Sequence, residues 1–189
     1  MSSPQKPELP CGCHARRSVL TLILSAPAIA SWPAARAETG RGSRLVLVHT
    51  HTGEVLDTVY RTEAGYRPAE LGRLDWLLRD FRTGDVLPLE ARLFDLLSSL
   101  AEAAGVEPRY QVISAYRSPA TNAMLAATSD GVSSKSLHME GKAIDVRLDG
   151  LPLEKLRDLA LTRAAGGVGY YPGSDFVHLD VGRVRSWSG

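Results

Sequence analysis

The sequence predicts an α+β domain: a mostly antiparallel sheet with flanking helices. Three observations lead there. Two β-rich runs flank a turn within residues 44–60, two helical runs follow, and beyond residue 109 short β-branched runs alternate with helical ones. Strands, then helices, then both mixed is the order of an α+β fold rather than of a regular βαβ repeat. The 189 residues suffice for one domain with a real core. A composition of 44% hydrophobic and 23% charged residues is that of a globular chain. The formal charge is +1, with no long basic stripe or tail, which argues against a broad nucleic-acid surface.

The elements follow in chain order. Residues 14–37, "HARRSVLTLILSAPAIASWPAARA", have the layout of a secretory signal: paired arginines, a short apolar run and a small-residue cleavage site. Arg16 and Arg17 before Ser18, Val19 and Leu20 resemble a twin-arginine export signal. The apolar run is too short to span a membrane, which takes about 20 residues. The expected division is a signal peptide over 1–37, a lead-in over 38–43 and one domain over 44–189. The first 37 residues hold four basic residues and one acidic, so the remainder has 18 basic against 20 acidic residues. Both cysteines, Cys11 and Cys13, fall in the signal. A mature chain without a disulfide must rely on its core or on a metal.

"RLVLVHTHTGEVLDTVY" (44–60) reads as a hairpin around Thr52-Gly53-Glu54. Leu71, Leu74, Leu77, Leu78 and Phe81 fall at helical spacing and predict a helix over 68–84. A second helix over 88–105 starts at Pro88 and stops at Gly105. Residues 109–118 read as a buried strand, 119–128 as a short helix begun by proline, and 130–136 as a loop. A strand over 142–148, a helix over 152–167 and strands over 167–172 and 175–182 complete the chain. Pro172-Gly173-Ser174 joins the last two strands.

Two histidines of the C-terminal half lie near carboxylates. In "SLHMEGKAID" (136–145), Gly141 can turn the chain so that His138 and Asp145 face one point; His178 lies in the last strand. Two imidazoles and a carboxylate are a ligand set of catalytic zinc, which keeps a fourth position open. By spacing alone, an ordinary turn between polar residues is the better account. His49 and His51 share a face of the hairpin, but Thr50 and Thr52 suggest a plain polar edge there. Tyr170 and Tyr171 are expected to point opposite ways, one inward and one to the cleft. Trp187 reads as a cover over the core; Arg183 and Arg185 could meet substrate carboxylates, but read more simply as solvated surface.

"SLHMEGKAID" resembles the Ser-x-His-x6-Asp motif of the zinc D-Ala-D-Ala peptidases, a group that includes the hedgehog domains. "ISAYRSPATNAML" and "GGVGYYPGSDFVHLDVGRVRSW" are more similar to one branch, the exported murein endopeptidase family related to MepK. "HTGEVLDTVY" and "LRDFRTGDVLPLEARLFDLL" resemble it too, so the likeness spans about residues 44–187. It implies a hedgehog/D-Ala-D-Ala-peptidase-like fold, zinc on His138, Asp145 and His178, and hydrolysis of cross-linked peptidoglycan stem peptides in the periplasm. It also implies Asp175 as general base, at an offset where related dipeptidases carry a Glu or Asp. Arg117 is implied beside the scissile carbonyl and Ser136 at the substrate. Phe176 rules out the variant with a catalytic histidine two residues before the last ligand. Asp175 and His178 would face opposite ways in a regular strand, so Asp175 belongs in the turn. Asp180 shares the parity of His178 and is the rival base, or else an acceptor that holds a ligand imidazole. Glu140 matches no fixed motif position. Two other activities stay open: a D-Ala-D-Ala carboxypeptidase or dipeptidase, and a non-catalytic zinc-bearing cell-wall binding module.

Overall fold

The computed structural model describes residues 42–128 and 133–189. The expected signal peptide and most of the lead-in lie outside those residues. The domain is α+β, as the sequence predicts. Eight strands form one sheet: β1 (Ser43–His49), β2 (Val55–Thr62), β3 (Gly65–Tyr66), β4 (Arg109–Ser114), β5 (Ala143–Leu148), β6 (Gly167–Tyr171), β7 (Phe176–Asp180) and β8 (Arg185–Ser188). Their order is β3-β2-β1-β4-β5-β7-β6-β8. Only β1/β4 and β6/β8 run parallel; the other neighbours are antiparallel. The helices are α1 (Pro68–Leu77), α2 (Ala91–Ala104), α3 (Pro119–Thr128) and α4 (Leu153–Arg163), with a 3-10 turn at Leu137–Glu140.

The alternation of strand side chains separates a packed face from a working face. Ile144, Val146 and Leu148 of β5 join Val177 and Leu179 of β7 in the apolar core, against α2 and α4. Phe94, Leu97 and Leu100 of α2 are 0–1% exposed and form the centre of that packing. Each such side chain contributes roughly 1.5–3 kcal/mol by leaving water. The opposite parity of the same strands places Asp145, His178 and Asp180 together on the other face. One register therefore sets both the core and the site.

The first helix is shorter than its apolar spacing predicts. It stops at Leu77, because the next residues turn around Asp80. The Asp80 carboxylate accepts the backbone N–H of Arg82 at 3.0 Å and of Ser118 at 2.9 Å. The Asp80 carbonyl closes the turn by accepting from Gly84 N–H. A side chain that binds nearby backbone in this way competes with helix. Leu78 still reaches the core, at 0% exposure. The fourth helix, expected over 152–167, stops at Arg163, where Ala164 takes a left-handed φ of 50°. Strand β8 carries no β-rich run of its own and exists by pairing with β6.

Candidate metal centre

The centre is assembled from a single row of residues across the sheet. Ser114 of β4 lies opposite Asp145 of β5, Asp145 opposite His178 of β7, His178 opposite Gly169 of β6, and Gly169 opposite Trp187 of β8. A register shift between Val112 and Ser114 brings Ser114 into that row. Bulges of this kind re-aim a side chain beside a site. His138 arrives from outside the sheet, on the 3-10 turn. Ser136 caps this turn by accepting His138 N–H at 3.3 Å, and Gly141 ends it with φ 66°. Gly141 also lies against the backbone of Pro88: a Cβ there would stand 2.8 Å from the Pro88 carbonyl. The loop can thus dock only with glycine at this position.

The hydrogen bonds fix which ring nitrogens face inward. His138 Nδ1 donates to the Ala115 carbonyl at 2.6 Å, leaving Nε2 towards the centre. His178 Nε2 donates to Asp180 Oδ2 at 3.2 Å, leaving Nδ1 towards the centre. His138 Nε2 is 3.2 Å from His178 Nδ1 and 3.2 Å from Asp145 Oδ1, and His178 Nδ1 is 2.9 Å from Asp145 Oδ1. Among the described residues these three form the group able to hold a metal ion. Tetrahedral ligands at about 2.0–2.1 Å from a zinc-sized ion stand about 3.3 Å apart, so the triangle has the right size. Its chemistry agrees, because three lone pairs converge on one point. Only a positive charge stabilises that arrangement, a proton in acid or a metal ion otherwise.

The protonation tendencies differ between the two histidines. Burial pushes His138 down and keeps it neutral. Burial also acts to lower His178, but hydrogen bonds to Asp145 and Asp180 outweigh it and raise the group. Asp145 is held far below the carboxylate range: burial opposes this, and the neighbouring His138 and His178 overcome it. Arg117 adds to the hold on Asp145, with Nη2 2.6 Å from Oδ2, while its Nε donates to Ser114 Oγ at 2.8 Å. The arginine is therefore no surface ion pair; its side chain is 14% exposed.

A cleft of about 790 Å³ opens over the centre, lined by Arg117, Ser136, Tyr171, Phe176, Arg183 and Trp187 among others. Tyr171 is thus the cleft tyrosine of its pair; Tyr170 packs against the core. Ser136 lines the cleft, with its hydroxyl taken by the backbone cap. Asp175 lies in the turn before β7 with φ 54°, exposed, its carboxylate 2.5 Å from Arg147 Nη1. The turn does break the strand alternation, but the carboxylate is not drawn into the triangle. Asp180 is 0% exposed and fully used: besides His178 it accepts from Gly167 N, Gly182 N and Arg185. A carboxylate so committed is an orienting acceptor for the His178 ring. Glu140 pairs with Lys142 in solvent.

Two sequence expectations fail. Trp187 does not cover the core; its ring lies 5.1 Å from the His178 ring and its Nε1 donates to Tyr171 Oη at 2.7 Å. Arg185 is not plain solvated surface, since its Nη2 is 2.7 Å from buried Asp180 Oδ2. Both errors come from reading β8 as a tail rather than as a strand.

An open His-Asp-His centre with an arginine beside it is the class of site that metal-dependent hydrolases use. Comparison with known proteins narrows that class. A family model described as "Peptidoglycan L,D-endopeptidase MepK" matches residues 37–187, and the chain belongs to that family. The Escherichia coli K12 protein of that name is 41% identical over 175 residues, covering 91% of this chain and 96% of the relative. The Haemophilus influenzae "Probable peptidoglycan L,D-endopeptidase MepK" is 40% identical over 156 residues, 82% of this chain and 84% of the relative. No solved structure matches.

Proposed function

We propose that this chain is an exported zinc endopeptidase that cleaves peptide cross-links of peptidoglycan, of the L,D type named for its relatives. The observation that carries the reading is the triangle of inward-facing ligand atoms beneath an open cleft. Zinc held by His138 Nε2, Asp145 Oδ1 and His178 Nδ1 would lower the pKa of a water towards about 7 and polarise the scissile carbonyl. Arg117 orients Asp145 and shares the negative charge that develops on the carbonyl oxygen. Asp175 takes the proton of the attacking water. Its exposed pair with Arg147 contributes only about 0–1 kcal/mol, so little opposes rotation towards the cleft. Ser136 fixes the His138 turn and forms part of the wall against which the stem peptide rests.

The twin-arginine pattern and the peptidoglycan endopeptidase names of the relatives support a periplasmic location. The test is mass spectrometry of cross-linked muropeptides after incubation with wild type, with His138→Ala and with wild type plus chelator. Dimers should become monomers only with untreated wild type. Release of a terminal residue without splitting of dimers would mean a carboxypeptidase instead. Bound zinc with no chelator-sensitive cleavage would mean a binding module.

A further inference from the structure

Strand β6 begins Gly167-Val168-Gly169, and both glycines stand between β7 and β8 on the working face. At Gly169, paired with His178 on one side and Trp187 on the other, a Cβ would come within 2.7 Å of the indole. At Gly167, paired with Arg185, a Cβ would overlap the Asp180 carboxylate and the Arg185 guanidinium. The two missing side chains are therefore two openings. Through one, Trp187 crosses a whole strand to lie against the His178 ring. Through the other, Arg185 reaches Asp180, which accepts the outward N–H of the same ring. Arg185 Cζ also stacks 4.8 Å from the Trp187 ring, joining the two arms.

We propose that the C-terminal strand β8 is a working part of the metal centre, with Arg185 and Trp187 as positioning residues that hold His178 with Nδ1 facing inward. Arg185 does this through the charge and orientation of Asp180, and Trp187 by closing one face of the imidazole. Tyr171 in turn holds the indole in plane through its hydroxyl. Strand β8 is only four residues long and lies at the edge of the sheet, and Trp187 is absent from the apolar core. Its role in global stability is accordingly small, and its effect falls on His178. Outer contacts of this kind are worth about 10–100-fold in metal affinity.

The inference rests on the metal reading of the site, and the test keeps the two apart. Zinc dissociation constants from chelator competition, the melting temperature of the metal-free protein and the visible absorption of the cobalt form are measured for five proteins: wild type, Trp187→Ala, Trp187→Phe, Arg185→Ala and Gly169→Ala. Trp187→Ala and Arg185→Ala should weaken zinc by about 10–100-fold and change the cobalt spectrum, with the metal-free melting temperature nearly unchanged. Trp187→Phe should recover most of the affinity, because it keeps a ring on His178. Gly169→Ala should mimic Trp187→Ala without altering β8, by pushing the indole away. Unchanged zinc affinity in Trp187→Ala and Arg185→Ala overturns the inference and leaves the function untouched. So does a fall in affinity matched by collapse of the metal-free melting temperature in every variant, Gly169→Ala included. A wild type that binds no zinc overturns both.

Discussion

The domain carries two pairs of histidines, and they differ in everything except the residue type. His49 and His51 lie at the end of β1 with ring centroids 6.0 Å apart, while His138 and His178 lie 5.0 Å apart. In the first pair, His49 Nδ1 is taken up by the backbone N–H groups of His51 and Thr52, and His51 stacks on Phe81 at 4.3 Å. The nearby carboxylate, Glu54, is spent on Arg79. Burial pushes His49 down, so it is a neutral acceptor that pins a turn. In the second pair each histidine spends its outer nitrogen on a protein acceptor, and the inner ones meet Asp145. A metal site is thus told from a structural pair by where the second nitrogen and the nearest carboxylate are committed.

The largest effect that would break this comparison comes from ligand removal. His138→Ala and His178→Ala should lose bound zinc and fall to background in muropeptide hydrolysis. His49→Ala and His51→Ala should keep one zinc per chain by elemental analysis and retain most activity. A hairpin variant that lost the metal would undo the distinction.

The next effects sharpen the roles around the second pair. Asp175→Asn should lower kcat by about 10²–10⁴-fold with zinc retained, as expected for loss of a general base. Asp180→Asn should instead weaken zinc by about 10–100-fold, because its work is to orient His178. The opposite pattern, with Asp175→Asn silent and Asp180→Asn inactive but metal-loaded, would make Asp180 the base. Arg117→Lys should cost about 10²-fold in kcat, since one ammonium cannot serve both Ser114 Oγ and Asp145 as the guanidinium fork does. Kinetics on a purified cross-linked dimer would read these changes.

How much of this was legible in the chain differs between the pairs as well. The motif around His138 is local: a glycine turn and a following strand let His138 and Asp145 face one point, while their reading as ligands came from the family resemblance and not from the spacing. The α+β class and the bounds of α3 were equally local, because Pro119 and Ser118 set the start of that helix. Trp187 and Arg185 were misread because their partners lie across β6, and the order β7-β6-β8 cannot be seen in any window of sequence. The glycines at 167 and 169 were the available signal, since two side chains missing from one face of a strand call for something to fill the space. The end of α1 was missed for a similar reason: Asp80 has its decisive partner 38 residues away, at Ser118.

Asp80 also connects the two regions, and this gives the smallest effect. Its neighbour Phe81 stacks on His51, while its carboxylate holds the backbone one residue beyond Arg117. Burial acts to raise Asp80, but hydrogen bonds from Thr121, from Ser118 and from the backbone of Ser118 and Arg82 outweigh it and bring the group from 3.8 to about 2. A carboxyl depressed in the folded state contributes stability that is complete above its unfolded value and disappears as pH falls through the folded one. The shift corresponds to about 2 kcal/mol, with the side chain only 1% exposed. Asp80→Asn should therefore be less stable than wild type by about 2 kcal/mol at pH 7, a difference that shrinks below pH 4 and is mostly gone by pH 2. Urea unfolding of the metal-free proteins at both ends of that window measures it. A difference that persists undiminished at pH 2 would mean that the shape of the Asp80 turn, and not its charge, couples the hairpin histidines to the arginine beside the metal centre.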